Sequence, residues 1–220
     1  MPKKKQSKQR KINKNGILFF ILLALFILAL IFDNQLFIII QQFRISLNIP
    51  FNLNFIESYW FYIIAFVLSI LFIILDNKVK NKKKNIFRYI IGVAIAMIIT
   101  TILKFIVSRP RPIPSQSSLS GDEKSFPSGH TTFMFSTLSF LKNWLSIIWL
   151  IPSIAIALER LWQGAHFPSD IIAAVIIGYF VPILTTKLIN KIRLNPSKQS
   201  SRARRATKRK VKKTKTRSKK

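Results

Sequence analysis

The stretch GILFFILLALFILALIF, residues 16–32, runs for 17 residues without a charge or a proline. A helix of that length is about 26 Å long, close to the thickness of a bilayer's hydrocarbon core. The apolar residues are too continuous for one face of an amphipathic helix, so the stretch reads as a membrane span. YWFYIIAFVLSILFIIL, residues 59–75, is equally free of charge. Basic residues precede the first block as they would in a secretory signal, but no small-residue cleavage site follows it, which favours a retained span.

Outward from these blocks, hydropathy predicts spans near residues 16–32, 58–75, 89–107, 128–143, 144–160 and 168–190. The expected fold is therefore all-α and integral to the membrane, a six-transmembrane-helix bundle. It divides the chain into a basic cytoplasmic arm (1–15), a six-span domain (16–192) and a disordered basic tail (193–220). The fourth span is the least regular, with polar residues at its start and Lys142 closing it. Leu36 to Ile56 is apolar but interrupted by Gln41, Gln42, Arg44, Asn48 and Pro50, which predicts a stretch lying in the membrane interface.

Charge supports this map. The first 14 residues are strongly basic, the loop after the second span carries Lys78, Lys80, Lys82, Lys83, Lys84 and Arg88, and the chain ends basic. In a six-span layout all three lie on one side, which the positive-inside rule assigns to the cytoplasm of the inner membrane. From Lys198 to Lys220 there are 13 Lys or Arg residues and no acidic one, too little apolar surface to fold. That tail reads as a topology signal and a partner for anionic lipid headgroups. It lacks the interleaved aromatic residues of a nucleic-acid stacking platform, which argues against nucleic acid. The net charge of +29 thus describes mostly the tails and one loop. The chain has no cysteine, which excludes disulfides and thiolate metal sites.

Only two histidines occur, and both fall in short polar runs on the side opposite the basic termini. In Arg160-Leu-Trp-Gln-Gly-Ala-His166-Phe-Pro-Ser-Asp170, Pro168 is placed to open a helix. His166 then precedes that helix and Asp170 lies in its first turn. The carboxylate can accept a hydrogen bond from one ring nitrogen and leave the other as a nucleophile, while the helix amino end offers amides to an anion. In Pro127-Ser128-Gly129-His130, proline and glycine predict a tight turn, Ser128 begins a helix, and Gly129 lets a tetrahedral anion approach the backbone. The third run is Lys104-Phe-Ile-Val-Ser-Arg109-Pro-Arg111-Pro112. A span can end in snorkelling cations, but here the cations lie on the side that should be poor in positive charge. Phosphate gives them a reason, because arginine binds its oxygens in bidentate fashion and lysine supplies a point charge.

The three runs together resemble the signature of the type 2 phosphatidic acid phosphatase superfamily, the membrane lipid phosphate phosphatases. Its pattern is K-x6-R-P, then P-S-G-H, then S-R-x5-H-x3-D. Lys104 with Arg111-Pro112, Pro127 to His130, and Arg160 with His166 and Asp170 match it, while Arg109-Pro110 stands at the wrong spacing from Lys104. Glu159 occupies the position where the pattern has serine, and a carboxylate there would partly compensate Arg160. The resemblance implies that His166 attacks phosphorus to form a phosphohistidine, that Asp170 holds its ring and that His130 protonates the leaving oxygen. It further implies that Lys104, Arg111, Ser128, Gly129 and Arg160 bind the phosphoryl oxygens, with no metal and no cofactor. Consistent with that, the acidic residues near the motifs, Asp122, Glu123, Glu159 and Asp170, lack the paired spacing of a magnesium site.

The expected function is hydrolysis of a membrane lipid phosphate or diphosphate, on a polyprenyl diphosphate, phosphatidic acid, phosphatidylglycerol phosphate or a lipid A type substrate. Two alternatives differ in class: a lipid phosphotransferase passing the phosphoryl group to another lipid, and a non-catalytic membrane anchor whose tail binds nucleic acid. A haloperoxidase shares the pattern, but the membrane body argues against it.

Overall fold

The computed structural model describes residues 14–47, 59–113, 124–142 and 144–191. Six helices account for nearly all of them: α1 Lys14–Leu47, α2 Tyr59–Leu75, α3 Lys82–Val107, α4 Gly129–Leu138, α5 Trp144–Trp162 and α6 Pro168–Lys191. Helices α1, α3, α5 and α6 are each long and apolar enough to cross a membrane, and α2 is apolar but shorter, at 17 residues. Their outer surfaces are hydrocarbon: Phe20, Phe105 and Ile151 are each more than 60% exposed, as expected of side chains that face lipid rather than water.

Two predicted boundaries are corrected. The first span does not stop at residue 32, because α1 continues to Leu47 through most of the stretch read as interfacial. No glycine or proline interrupts residues 17–49, and the polar residues that seemed to break the pattern have tertiary partners. Gln41 Nε2 donates to the carbonyls of Leu161 and Trp162 at 3.0 and 3.4 Å, which lack intrahelical partners at the end of α5. Arg44 in turn donates to Gln41 Oε1 at 3.1 Å. Residues 48–56 of that stretch, the basic arm before residue 14 and the tail from residue 192 lie outside the described residues.

The fourth predicted span, 128–143, is a helix of only ten residues, about 15 Å long. It is buried among the others: every residue from Thr131 to Thr137 is buried. A helix so rich in hydroxyls tolerates burial because the hydroxyls find acceptors. Thr132 Oγ1 and Ser136 Oγ donate to carbonyls four residues back, those of Ser128 and Thr132, at 2.9 and 2.7 Å. Across the bundle Ser69 Oγ meets Thr137 Oγ1 at 3.0 Å, and Thr100 Oγ1 donates to Thr132 Oγ1 at 3.2 Å. Phe61, Ile73, Tyr89, Phe133, Met134, Phe140 and Trp149 pack around it as the main apolar core. On its other side α6 approaches so closely that a Cβ at Gly178 would lie 2.5 Å from the Thr132 carbonyl oxygen.

Candidate functional site

All the polar runs gather at one end of the bundle, where α3 ends, α4 and α6 begin and α5 ends. Ser128 caps α4 as expected, its Oγ accepting from Thr131 N at 3.5 Å and from Thr131 Oγ1 at 3.0 Å. Its own amide donates to the Asp170 carbonyl at 3.3 Å, which joins the Pro127–His130 turn to the first turn of α6. Pro168 opens α6, also as expected. The segment after α3 is held on both sides: Ser125 N donates to the Arg109 carbonyl at 2.8 Å and Ile113 N to the Gly164 carbonyl at 3.0 Å. Gly164 has φ +73°, and a Cβ there would strike the Ile113 side chain at 2.4 Å, so glycine is needed for the turn that delivers His166.

His166 is buried, at 2% exposure. Its Nδ1 lies 3.7 Å from Asp170 Oδ2, within reach of charge attraction but longer than the hydrogen bond expected from the sequence. Asp170 is occupied elsewhere: Oδ2 accepts from the Phe167 amide at 2.8 Å and Oδ1 from Arg109 Nη1 at 3.0 Å. His166 Nδ1 is consequently a buried nitrogen without a hydrogen-bond partner. Burial pushes the imidazole below its ordinary pKa, since the cation loses its hydration. The Asp170 carboxylate opposes the shift, and the positive charges of Lys104 and Arg111 add to it.

Lys104 Nζ donates to the Lys124 carbonyl at 2.7 Å. Arg111 has a buried Nε without a hydrogen-bond partner. His130 is half-buried, its ring 4.7 Å from Tyr62 and 5.3 Å from Phe61 between ring centres. A Cβ at Gly129 would make only ordinary contacts, with Tyr62 Oη at 3.5 Å and Met97 Cε at 4.0 Å, so packing alone does not require glycine there. Arg160, 2% exposed, is gripped by Glu159: Nε to Oε2 is 2.6 Å and Nη2 to Oε1 is 2.9 Å. Gln163 Oε1 accepts from the same Nη2 at 3.0 Å. The compensation of Arg160 by Glu159 that the sequence suggested is thus a bidentate pair.

Two residues were missed. Asp33, 4% exposed, projects from the middle of α1 onto the start of α6. Its Oδ1 accepts from the Ser169 amide at 2.9 Å and its Oδ2 from the Ser169 hydroxyl. Arg109, set aside for its spacing, pairs with both Asp33 Oδ2 and Asp170 Oδ1 at 3.0 Å, donates to Ser169 Oγ at 2.8 Å, and lies 3.8 Å over the Phe167 ring. It gets there because Ser108 closes α3 in the left-handed conformation, φ 47°, and turns the chain back toward α6. The available signal was Asp33 itself, a lone carboxylate in a helix with no breaker on either side, since ionisable groups inside a membrane span are seldom idle.

A family model described as the PAP2 superfamily matches residues 85–194, half of the chain. Over 135 residues the chain is 31% identical to the bacitracin transport permease protein BcrC of Bacillus licheniformis, covering 56% of this chain and 64% of that one. Over 138 residues it is 25% identical to the undecaprenyl-diphosphatase BcrC of Bacillus subtilis (strain 168), covering 60% and 71% respectively. The chain thus spans just under two thirds of the first relative's length. Its fold is shared with a transmembrane PAP2-type phosphatidylglycerolphosphate phosphatase from Bacillus subtilis, with a TM-score of 0.57, 18% identity, and coverage of 82% of this chain and 98% of that one. The all-α, six-helix membrane bundle expected from hydropathy is the fold of this chain.

Proposed function

This chain belongs to the PAP2 superfamily, and from that premise we propose that it is an integral-membrane phosphatase that removes a phosphoryl group from a lipid. The observation that carries the reading is the buried His166, set against Asp170 at the amino end of α6 with Lys104 and Arg111 acting on it. Nucleophilic attack needs a neutral imidazole, and burial favours that form.

In the proposed reaction His166 Nε2 attacks phosphorus, forming an N–P bond as the bond to the leaving oxygen breaks. His130 gives that oxygen a proton as general acid. The imidazole becomes a cation in this step, and Asp170 stabilises it. Lys104, Arg111, Arg160, the Ser128 hydroxyl and the Gly129 amide bind the equatorial oxygens, where charge accumulates in phosphoryl transfer. Water then attacks the phosphohistidine, His130 takes its proton, and orthophosphate leaves. No step calls for a metal. Asp33 and Arg109 act as positioning residues: they hold Ser169 and Asp170, and through them the ring of His166.

The apolar exterior favours a substrate whose chain stays in the bilayer while its headgroup enters the site. Among polyprenyl diphosphate, phosphatidic acid, phosphatidylglycerol phosphate and lipid A phosphates, the Bacillus subtilis relative's name favours polyprenyl diphosphate. The charge distribution supports termini in the cytoplasm and a site on the outer face of the cytoplasmic membrane.

The test is phosphate release in detergent with EDTA from the four lipid classes, by wild type and His166→Ala. Release by wild type, greatest from polyprenyl diphosphate and absent in the variant, supports the reading. Transfer of the label to another lipid would replace hydrolysis by phosphotransfer. Folded wild type inert on every lipid would overturn it in favour of a non-catalytic anchor.

A further inference from the structure

At the end of the bundle opposite His166, the α2–α3 turn, the start of α3, the α4–α5 link and the end of α6 border an open cavity of about 530 Å³. Lys78, Lys80, Arg88, Lys142 and Lys187 line it, with Thr186 between them and no carboxylate. The nearest acid, Asp76, is 2% exposed and already committed: Oδ1 accepts from the Lys78 amide at 2.9 Å and Oδ2 from the Lys142 amide at 2.7 Å. It fixes the two backbone segments that present Lys78 and Lys142 and leaves their ammonium groups unpaired by any carboxylate among the described residues.

Not every cation at this end is spare. Lys82 caps α2, its Nζ donating to the carbonyls of Ile74, at 2.6 Å, and Asp76. Arg88 differs: one guanidinium nitrogen donates to Asn190 Oδ1, while its Nε is buried without a partner. Thr186 Oγ1 is a second buried polar atom without one. Both residues line the cavity, while these two atoms are themselves buried behind its wall; what faces the space is a set of like charges with no acid among them. Such a site is completed by an anion with several acceptor oxygens.

We propose that this cavity binds a phosphate-bearing anion, and that its source is the headgroup of an anionic membrane lipid. The surface beside it favours a lipid over free phosphate: Leu75 is 55% exposed, Leu184 55% and Leu188 60%, so acyl chains can lie along α2 and α6 while the headgroup sits among the lysines. A cavity of this size is ample for a headgroup, and basic pockets between helices on the cytoplasmic side suit anionic lipids. The site is separate from the proposed catalytic chemistry and does not depend on it.

The experiment measures binding of a fluorescent phosphatidylglycerol to the full chain in neutral detergent micelles. It compares wild type, the variant Lys78→Gln/Lys142→Gln/Lys187→Gln, and a tail variant Lys208→Gln/Lys210→Gln/Lys212→Gln/Lys213→Gln. Removing three cations from the cavity should weaken binding on the order of 100-fold, with the tail variant near wild type and phosphatidylcholine not competing. Equal affinity in wild type and the cavity variant overturns the proposal, as does loss confined to the tail variant. Competition by orthophosphate as strong as by unlabelled phosphatidylglycerol overturns the lipid assignment and leaves a free-phosphate site. Should the triple variant not fold, Lys142→Gln and Lys187→Gln are read singly, each expected to weaken binding about fivefold, and wild-type affinity in both is equally fatal.

Discussion

Replacing Asp33 by alanine should loosen the junction of α1 with α6 and slow catalysis without touching substrate. The carboxylate accepts from the Ser169 amide at 2.9 Å, from the Ser169 hydroxyl, and from Arg109 at 3.0 Å. Its removal leaves a buried amide unsatisfied, a loss of about 1–3 kcal/mol. Arg109 loses one of two carboxylates but keeps Asp170 and is itself 24% exposed at its side chain, so that part falls below the ~3–5 kcal/mol of a fully buried pair. Together the change amounts to about 3–4 kcal/mol. For a chain of 220 residues this lowers the unfolding midpoint by roughly 10 °C. Asp33→Asn keeps an acceptor for the Ser169 amide and should lose about half as much. Because Asp170 and His166 are then less well placed, kcat should fall roughly tenfold or more with KM little changed. Adding Arg109→Gln to Asp33→Asn should cost less than the sum of the two, since the residues form one network. Thermal unfolding followed by circular dichroism, with initial rates on the same samples, measures both effects. An alanine variant within 2 °C of wild type and with unchanged kcat would refute the positioning role.

Glu159→Ser should release Arg160 from its bidentate partner, tightening inhibition by orthophosphate about tenfold while lowering thermal stability, as competitive inhibition and melting measured together would show. Burial holds the His166 pKa below 6.5, so the neutral nucleophile persists into acid and the acid limb of kcat/KM should lie below pH 6.5. Lys104→Gln removes a charge that lowers this pKa and should move the limb upward, whereas Asp170→Asn removes one that raises it and should move the limb further down. The same depression carries a stability term: the unfolded chain takes up a proton that the folded one resists, so this contribution is whole above pH 6.5 and is lost as pH falls towards the folded pKa. Gly178→Ala sets a Cβ 2.5 Å from the Thr132 carbonyl and should destabilise the chain by about 1–3 kcal/mol, read as a lowered melting temperature.

What the sequence made legible was local. Pro168 at the start of α6, Ser128 as the cap of α4 and Glu159 beside Arg160 act through near neighbours in the chain, and each was read correctly. What it hid was tertiary. Gln41 looked like a break in a span until its partners proved to be the carbonyls ending α5. The ten residues of α4 looked like part of a longer span, because hydropathy does not reveal that Thr132, Ser136 and Thr137 bond within the bundle. Arg109 was discounted because motif spacing counts residues along the chain. The left-handed turn at Ser108 decides instead where its guanidinium arrives. Asp33 stands 136 residues from the Ser169 it contacts, a separation that no local pattern carries.

The most direct test of the proposed chemistry is to trap the phosphoenzyme. Wild type, His166→Ala and His130→Ala would each be mixed with polyprenyl diphosphate labelled at the terminal phosphorus, quenched in alkali, digested and sequenced. Label stable to base and labile to acid on the peptide bearing His166, absent in His166→Ala, is the predicted result. Continued phosphate release by His166→Ala, or label on any other residue, would contradict it.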